Sequence, residues 1–179
     1  MIIVFEGVNK VGKTTLMEKI SNKLSIPCFR NMKNPDMKEI SGFCHYNDFN
    51  EDIVIFNLLR TIGGSILLDR SISSDCIYKR MINVYFPQEI LEWWKIKLLE
   101  LKVIYIWVDS PWDEINNRKN HSEIKFEKYE YLTKEYRNLY DYLSSCGVRT
   151  IHFNNTGDIN KNVDELMIKI NKLSQEINE

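Results

Sequence analysis

Two short stretches carry residue types whose spacing points to chemistry. The first is GVNKVGKT, Gly7 to Thr14, where two glycines bracket four residues and the second is followed by lysine and threonine. A phosphate chain is held by backbone N–H groups turned inward, and side chains on the loop would block that approach. Gly7 and Gly12 permit the tight loop, and the helix expected from near Lys13 adds its positive dipole end. Lys13 can reach the terminal phosphates of a nucleoside triphosphate such as ATP, and the Thr14 hydroxyl can hold Mg²⁺. Asn9, Val11 and Thr15 complete the candidate nucleotide-binding set.

The second stretch, DRSISSDCIY over 69–78, follows the apolar run SILL. An acidic residue and a basic one at the end of a strand lie at the carboxyl edge of the sheet, where open α/β folds bind their ligands. Asp69 can order Mg²⁺ and its waters, and Arg70 can fork onto an anionic acceptor. A salt-bridged pair at the start of the next helix would have the same residues.

These side chains need a sheet to place them. Apolar runs at 2–5, 26–29, 65–69, 103–108 and 148–153 alternate with helical patterns at 14–24, 48–62, 72–83, 87–101, 125–145 and 160–177. In the last, Val163, Leu166, Met167, Ile170 and Leu173 recur at the three- and four-residue intervals of a single buried stripe. Short strands without strict alternation suit a sheet covered on both faces. The expected fold is a doubly wound α/β domain over residues 1–179, with a five-stranded, mainly parallel sheet. The loop sits between a strand and a helix, as its chemistry requires. A base-reading N-K-x-D is absent: neither Asn9-Lys10 nor Asn160-Lys161 is followed by that aspartate. The small size and compact strand pattern favour a small-molecule kinase over a GTPase or a larger ATPase.

Composition narrows the classes further. A hydrophobic fraction of 44% and a charged fraction of 27% describe a soluble globular chain. A net charge of −1 weighs against long nucleic-acid tracks. Cys28, Cys44, Cys76 and Cys146 are scattered, and His45, His121 and His152 show no ligand spacing, so reduced thiols without structural zinc are expected. IIVF is too short for a signal peptide or membrane anchor, which points to a cytoplasmic protein. Trp93, Trp94, Trp107 and Trp112 read as core or subunit-contact residues, which leaves a homodimer open.

Taken together, FEGVNKVGKTT (5–15), DRSISSDCIY (69–78) and VDSPWDEINNR (108–118) resemble the thymidylate kinase family and its relatives, the deoxynucleoside kinases. The resemblance matches Asp69, Arg70 and Tyr78 to that family's D-R motif and distal tyrosine. It matches Asp109, Pro111 and Arg118 to its D-x-P and the arginine opening a lid, here about 116–126. One branch of the family has a basic residue inside the loop, where this chain has Lys10. The resemblance therefore implies a catalytic set of Lys10, Lys13, Asp69, Arg70 and Arg118, with Thr14 and Asp69 at the metal. Phosphoryl transfer asks chiefly for alignment and for positive charge over the migrating group. The other lid charges, Glu127 and Glu130 among them, read as a solvated helix face.

The acceptor is the open choice. Arg70, Ser71, Ser74 and Asp75 also resemble the deoxynucleoside kinase pattern, whose members offer a glutamate after the second strand to deprotonate a 5′-hydroxyl. This chain has Arg30 at that edge, which cannot be a base but suits an acceptor already carrying a phosphate. Arg30, Arg70, Ser74 and Tyr78 are the expected acceptor residues. A deoxynucleoside kinase, or an enzyme acting on another small-molecule hydroxyl or a nucleic-acid end, and a non-catalytic nucleotide-binding regulator stay as alternatives.

Overall fold

The computed structural model describes residues 1–30, 57, 61, 63–118 and 125–175. Ile2–Glu6 (β1) is buried along its whole length, as a strand covered on both faces must be. The other strands are Cys28–Arg30 (β2), Ile66–Asp69 (β3), Ile104–Asp109 (β4) and Arg149–Asn154 (β5). They form one sheet in the order β2-β3-β1-β4-β5, and every pairing is parallel. The sheet is thus all-parallel where the sequence suggested mainly parallel.

Parallel neighbours need crossovers, and described helices supply those from β1 to β2, from β3 to β4 and from β4 to β5. Described helices are Lys13–Leu24 (α1), Ile72–Met81 (α2), Gln88–Glu100 (α3), Trp112–Asn117 (α4), Phe126–Ser145 (α5) and Ile159–Gln175 (α6). Each long one turns an apolar stripe to the sheet: Leu16, Met17 and Ile20 from α1, Leu132, Tyr136, Leu139 and Leu143 from α5, and Val163, Leu166 and Ile170 from α6. Their starts follow local chemistry. Gly12 opens α1 at φ 86°, and the Ser71 side chain caps α2 by accepting from Ser73 N–H. The Asp158 carboxylate accepts from the N–H groups of Asn160 and Lys161 at 2.9 Å each, which lowers its pKa.

Trp94 and Trp107 are fully buried, while Trp93 and Trp112 are half-buried. The short α4 has no counterpart among the expected helices, because six residues are too few to display a helical period. Most of the expected helix at 48–62, and lid residues 119–124, lie outside the described residues. No helix among the described residues is long and apolar enough to cross a membrane.

What matters for chemistry is the carboxyl edge. The chain runs out to β2 and back through β3 on one side of β1, then to β4 and β5 on the other. Ligands in such sheets sit where the order reverses. In register, Phe5 and Arg30 both pair with Asp69, and Glu6 pairs with Trp107.

Candidate functional site

The loop after β1 cannot carry side chains at its two glycines. At Gly7, with φ 139°, a Cβ would lie 2.1 Å from the Val108 carbonyl oxygen of β4. At Gly12 it would lie 2.3 Å from the Asn155 side-chain amide. Val8 and Val11 are fully buried and pin the loop to the core, while Lys10 adopts a left-handed φ of 70°. Thr15, at the start of α1, is exposed. Lys13 is buried, and its ammonium donates to the carbonyls of Gly7 at 2.9 Å and Val8 at 2.8 Å. Burial holds its pKa well below the ordinary lysine value and Arg70 adds to the effect, against Asp69 and Glu6. The Lys10 ammonium has no hydrogen-bonding or ion-pair partner among the described residues.

Thr14 Oγ1 donates to Asp69 Oδ2 at 2.7 Å. A hydroxyl and a carboxylate oxygen are hard donors of the kind Mg²⁺ takes, and the carboxylate can also hold the metal's waters. These two residues fit the ion that the loop motif implies.

Arg70 follows Asp69 at φ 77°, its N–H donating to the Phe5 carbonyl at 2.9 Å. One guanidinium nitrogen donates to Ser74 Oγ at 2.9 Å and to the Tyr136 hydroxyl at 3.2 Å. The other donates to Asn9 Oδ1 of the Gly7–Thr14 loop. The guanidinium also lies over the Tyr78 ring, 5.4 Å from its centroid. Burial works against its charge, but Tyr136, Tyr78 and Glu6 outweigh burial and raise its pKa. Asn9 and Ser74 thus both serve Arg70. Ser74 is 3% exposed, with its oxygen already engaged.

Arg118 ends α4 and turns onto the Gly7–Thr14 loop. It donates to the Lys10 carbonyl at 2.5 Å, to the Asn155 carbonyl at 3.2 Å and to Ser110 Oγ at 3.3 Å, and pairs with Glu114 at 3.2 Å. Asn155 reaches the same loop from β5, its amide donating to the Val11 carbonyl at 2.7 Å while its oxygen accepts from Asn162 at 2.8 Å. Asp109 anchors the turn between β4 and α4 by accepting from Ser110 N–H at 2.8 Å.

The sequence-derived residues Gly7, Asn9, Lys10, Val11, Gly12, Lys13, Thr14, Asp69, Arg70, Ser74, Tyr78 and Arg118 therefore gather around one loop at one sheet edge. Arg30 joins them by strand register. Three residues escaped sequence reasoning: Asn155, Tyr136 and Glu6. Glu6 is fully buried at the end of β1, where it shows in the sequence as a charge closing an apolar run.

No protein-family model matches this sequence, and no curated protein matches it either. Solved structures do. The Bacillus subtilis YorR protein, in complex with phosphorylated GDP, aligns over 98% of this chain and 98% of its own at 18% identity and a TM-score of 0.70. Deoxyadenosine kinase from M. mycoides, with dCMP and a flexible dCDP bound, aligns over 97% and 100% at 20% identity and a TM-score of 0.63. Thymidylate kinase from Ehrlichia chaffeensis aligns over 96% and 98% at 16% identity and a TM-score of 0.60. At these identities the likeness establishes the fold, that of the P-loop kinases.

Proposed function

We propose that the chain is a single P-loop kinase domain, residues 1–179, which transfers a phosphoryl group from ATP to a (deoxy)nucleoside monophosphate. Its activity would be most like that of a thymidylate kinase. The observation that carries this reading is the placing of Arg70. Its charge is held at the acceptor edge and linked to the phosphate loop through Asn9, a geometry suited to an acceptor that is already anionic. The carboxylates beside it are engaged: Asp69 accepts from Thr14, and Glu6 accepts from the serines after Arg70. A phosphate acceptor needs no base, because its attacking oxygen carries no proton at neutral pH.

The other roles follow from position. The loop N–H groups bind the donor's phosphate chain, and Lys13 exchanges two carbonyl partners for phosphate oxygens, which favours its charged form. Thr14 and Asp69 would hold Mg²⁺, which would supply positive charge to the donor's phosphates. Lys10, whose ammonium has no partner among the described residues, turns to the transferring group. Arg118, bound to the Lys10 carbonyl, lies close enough to that loop to add its charge beside Lys10.

A hydroxyl acceptor is the second reading. It is favoured by the Arg70-Ser71-x-x-Ser74-Asp75 turn and by the likeness to a deoxyadenosine kinase. ADP release measured over nucleosides, monophosphates and short oligonucleotides separates the two. Turnover on monophosphates that is lost in Lys13→Ala supports the first reading, and turnover confined to nucleosides overturns it.

A further inference from the structure

A glutamate at the fully buried end of a central strand is an expensive residue to keep. A buried carboxylate must be compensated, and an apolar residue of similar size would often be as stable or more so. Glu6 has 0% exposure and four hydrogen bonds, all from one turn. Its Oε1 accepts from Ser71 N–H at 2.7 Å, Ser71 Oγ at 2.8 Å and Ser73 Oγ at 2.5 Å. Its Oε2 accepts from Ser74 Oγ at 2.5 Å. Capping a helix needs one serine and no acid, so α2 alone does not account for this arrangement.

We propose that Glu6 is a positioning residue for the acceptor side, fixing Arg70 by setting which way the Ser74 hydroxyl points. This rests on the kinase reading only in assigning Arg70 to the acceptor. The Ser74 hydroxyl has one proton and two lone pairs. With its proton on Glu6, its lone pairs are left for the Arg70 guanidinium at 2.9 Å and the Tyr136 hydroxyl at 2.8 Å. The carboxylate thus makes Ser74 an acceptor toward Arg70, and it adds negative charge behind the guanidinium.

Replacing Glu6 by glutamine reverses that polarity in a defined way. The Ser71 N–H can only donate, so the amide oxygen must face it, which forces the amide NH₂ onto Ser74. Ser74 then accepts from the amide and passes its own proton to the Tyr136 oxygen at 2.8 Å, so the Tyr136 hydroxyl loses Ser74 as the acceptor for its own proton. The shape of the side chain is unchanged, but the negative charge behind Arg70 is gone and the Ser74–Tyr136 pair that holds its guanidinium is repolarised.

The test uses the full chain with Glu6→Gln, Ser74→Ala and the double variant. Readouts are acceptor kinetics, ATP affinity without acceptor by calorimetry, thermal unfolding, and a crystal structure of Glu6→Gln. Each single variant is expected to lower kcat/KM for the acceptor by about 10²-fold, the scale of a catalytic group misplaced by an ångström. ATP affinity should stay within about twofold, and the double variant should be no worse than the poorer single, because both act through one contact. Arg70 should shift against the repolarised Ser74–Tyr136 pair in the Glu6→Gln structure. Unchanged acceptor kinetics in either single variant, an equal loss of ATP affinity, additive effects, or Arg70 unmoved would each overturn the proposal. If glutamine prevents folding, Ser74→Ala carries the kinetic test. If the wild type phosphorylates no acceptor, the kinase reading fails, and the position of Arg70 in the Glu6→Gln crystal still decides for or against Glu6.

Discussion

Thr14 Oγ1 and Asp69 Oδ2 meet at 2.7 Å across 55 residues of chain, tying the first turn of α1 to the end of β3. That contact joins the two stretches whose residue types suggested chemistry, and it places side by side two oxygen donors that would hold Mg²⁺. Thr14→Ala and Asp69→Asn should each raise the Mg²⁺ concentration for half-maximal turnover by about 10–100-fold, the usual cost of disturbing a metal site's supporting shell. A Mg²⁺ titration of the reaction checks this, and EDTA should stop turnover in the wild type. An unchanged midpoint in both variants would remove the metal from this pair.

Lys10 and Lys13 should fail differently. Lys13→Ala should abolish turnover and weaken ATP binding, because this ammonium lies inside the loop. Lys10→Ala should lower kcat by about 10²–10³-fold, equivalent to about 2.7–4 kcal/mol, with little change in either KM. Steady-state kinetics over both substrates distinguishes the two patterns.

Arg118 donates to three backbone or side-chain oxygens, of Lys10, Ser110 and Asn155. Lysine cannot reproduce that fork. Arg118→Lys should therefore raise KM for ATP by about tenfold, the loss of one good charged hydrogen bond. The KM for the acceptor should change little, which a two-substrate kinetic matrix will show.

Glu6 should leave a mark on stability as well as on catalysis. Burial, the largest influence on it, raises its pKa from the ordinary 4.5. Above that ordinary value the folded state therefore holds more protons at this site than the unfolded state. Its contribution to stability is full below 4.5 and is lost as pH rises through the folded value. Glu6→Gln escapes that loss, so its stability relative to wild type should rise with pH across this window and then level off. Urea unfolding at a series of pH values tests the sign, and a gap that does not vary with pH would contradict it.

The sequence made the strands and the loop visible because each is a local signal. An apolar run between turn residues marks β1 and β4, and the eight-residue pattern from Gly7 to Thr14 contains its own chemistry. The supports of the site had no such signal. Asn155 reaches Val11 across 144 residues, and the bond depends on the register of β5 against β4. Tyr136 is one of several tyrosines on an amphipathic helix, and nothing local marks the one that meets Arg70. Glu6 could have been singled out by two facts taken together: a charge closing a wholly apolar strand, and a serine-rich turn at the end of the neighbouring one.

The most direct test is an ADP-release assay with ATP and Mg²⁺ that compares dTMP with thymidine on the wild-type chain. A phosphate acceptor gripped by Arg70 predicts turnover on dTMP, or failing that on another nucleoside monophosphate, well above that on any nucleoside. Turnover on nucleosides with none on monophosphates would contradict the account and assign the acceptor edge to a hydroxyl.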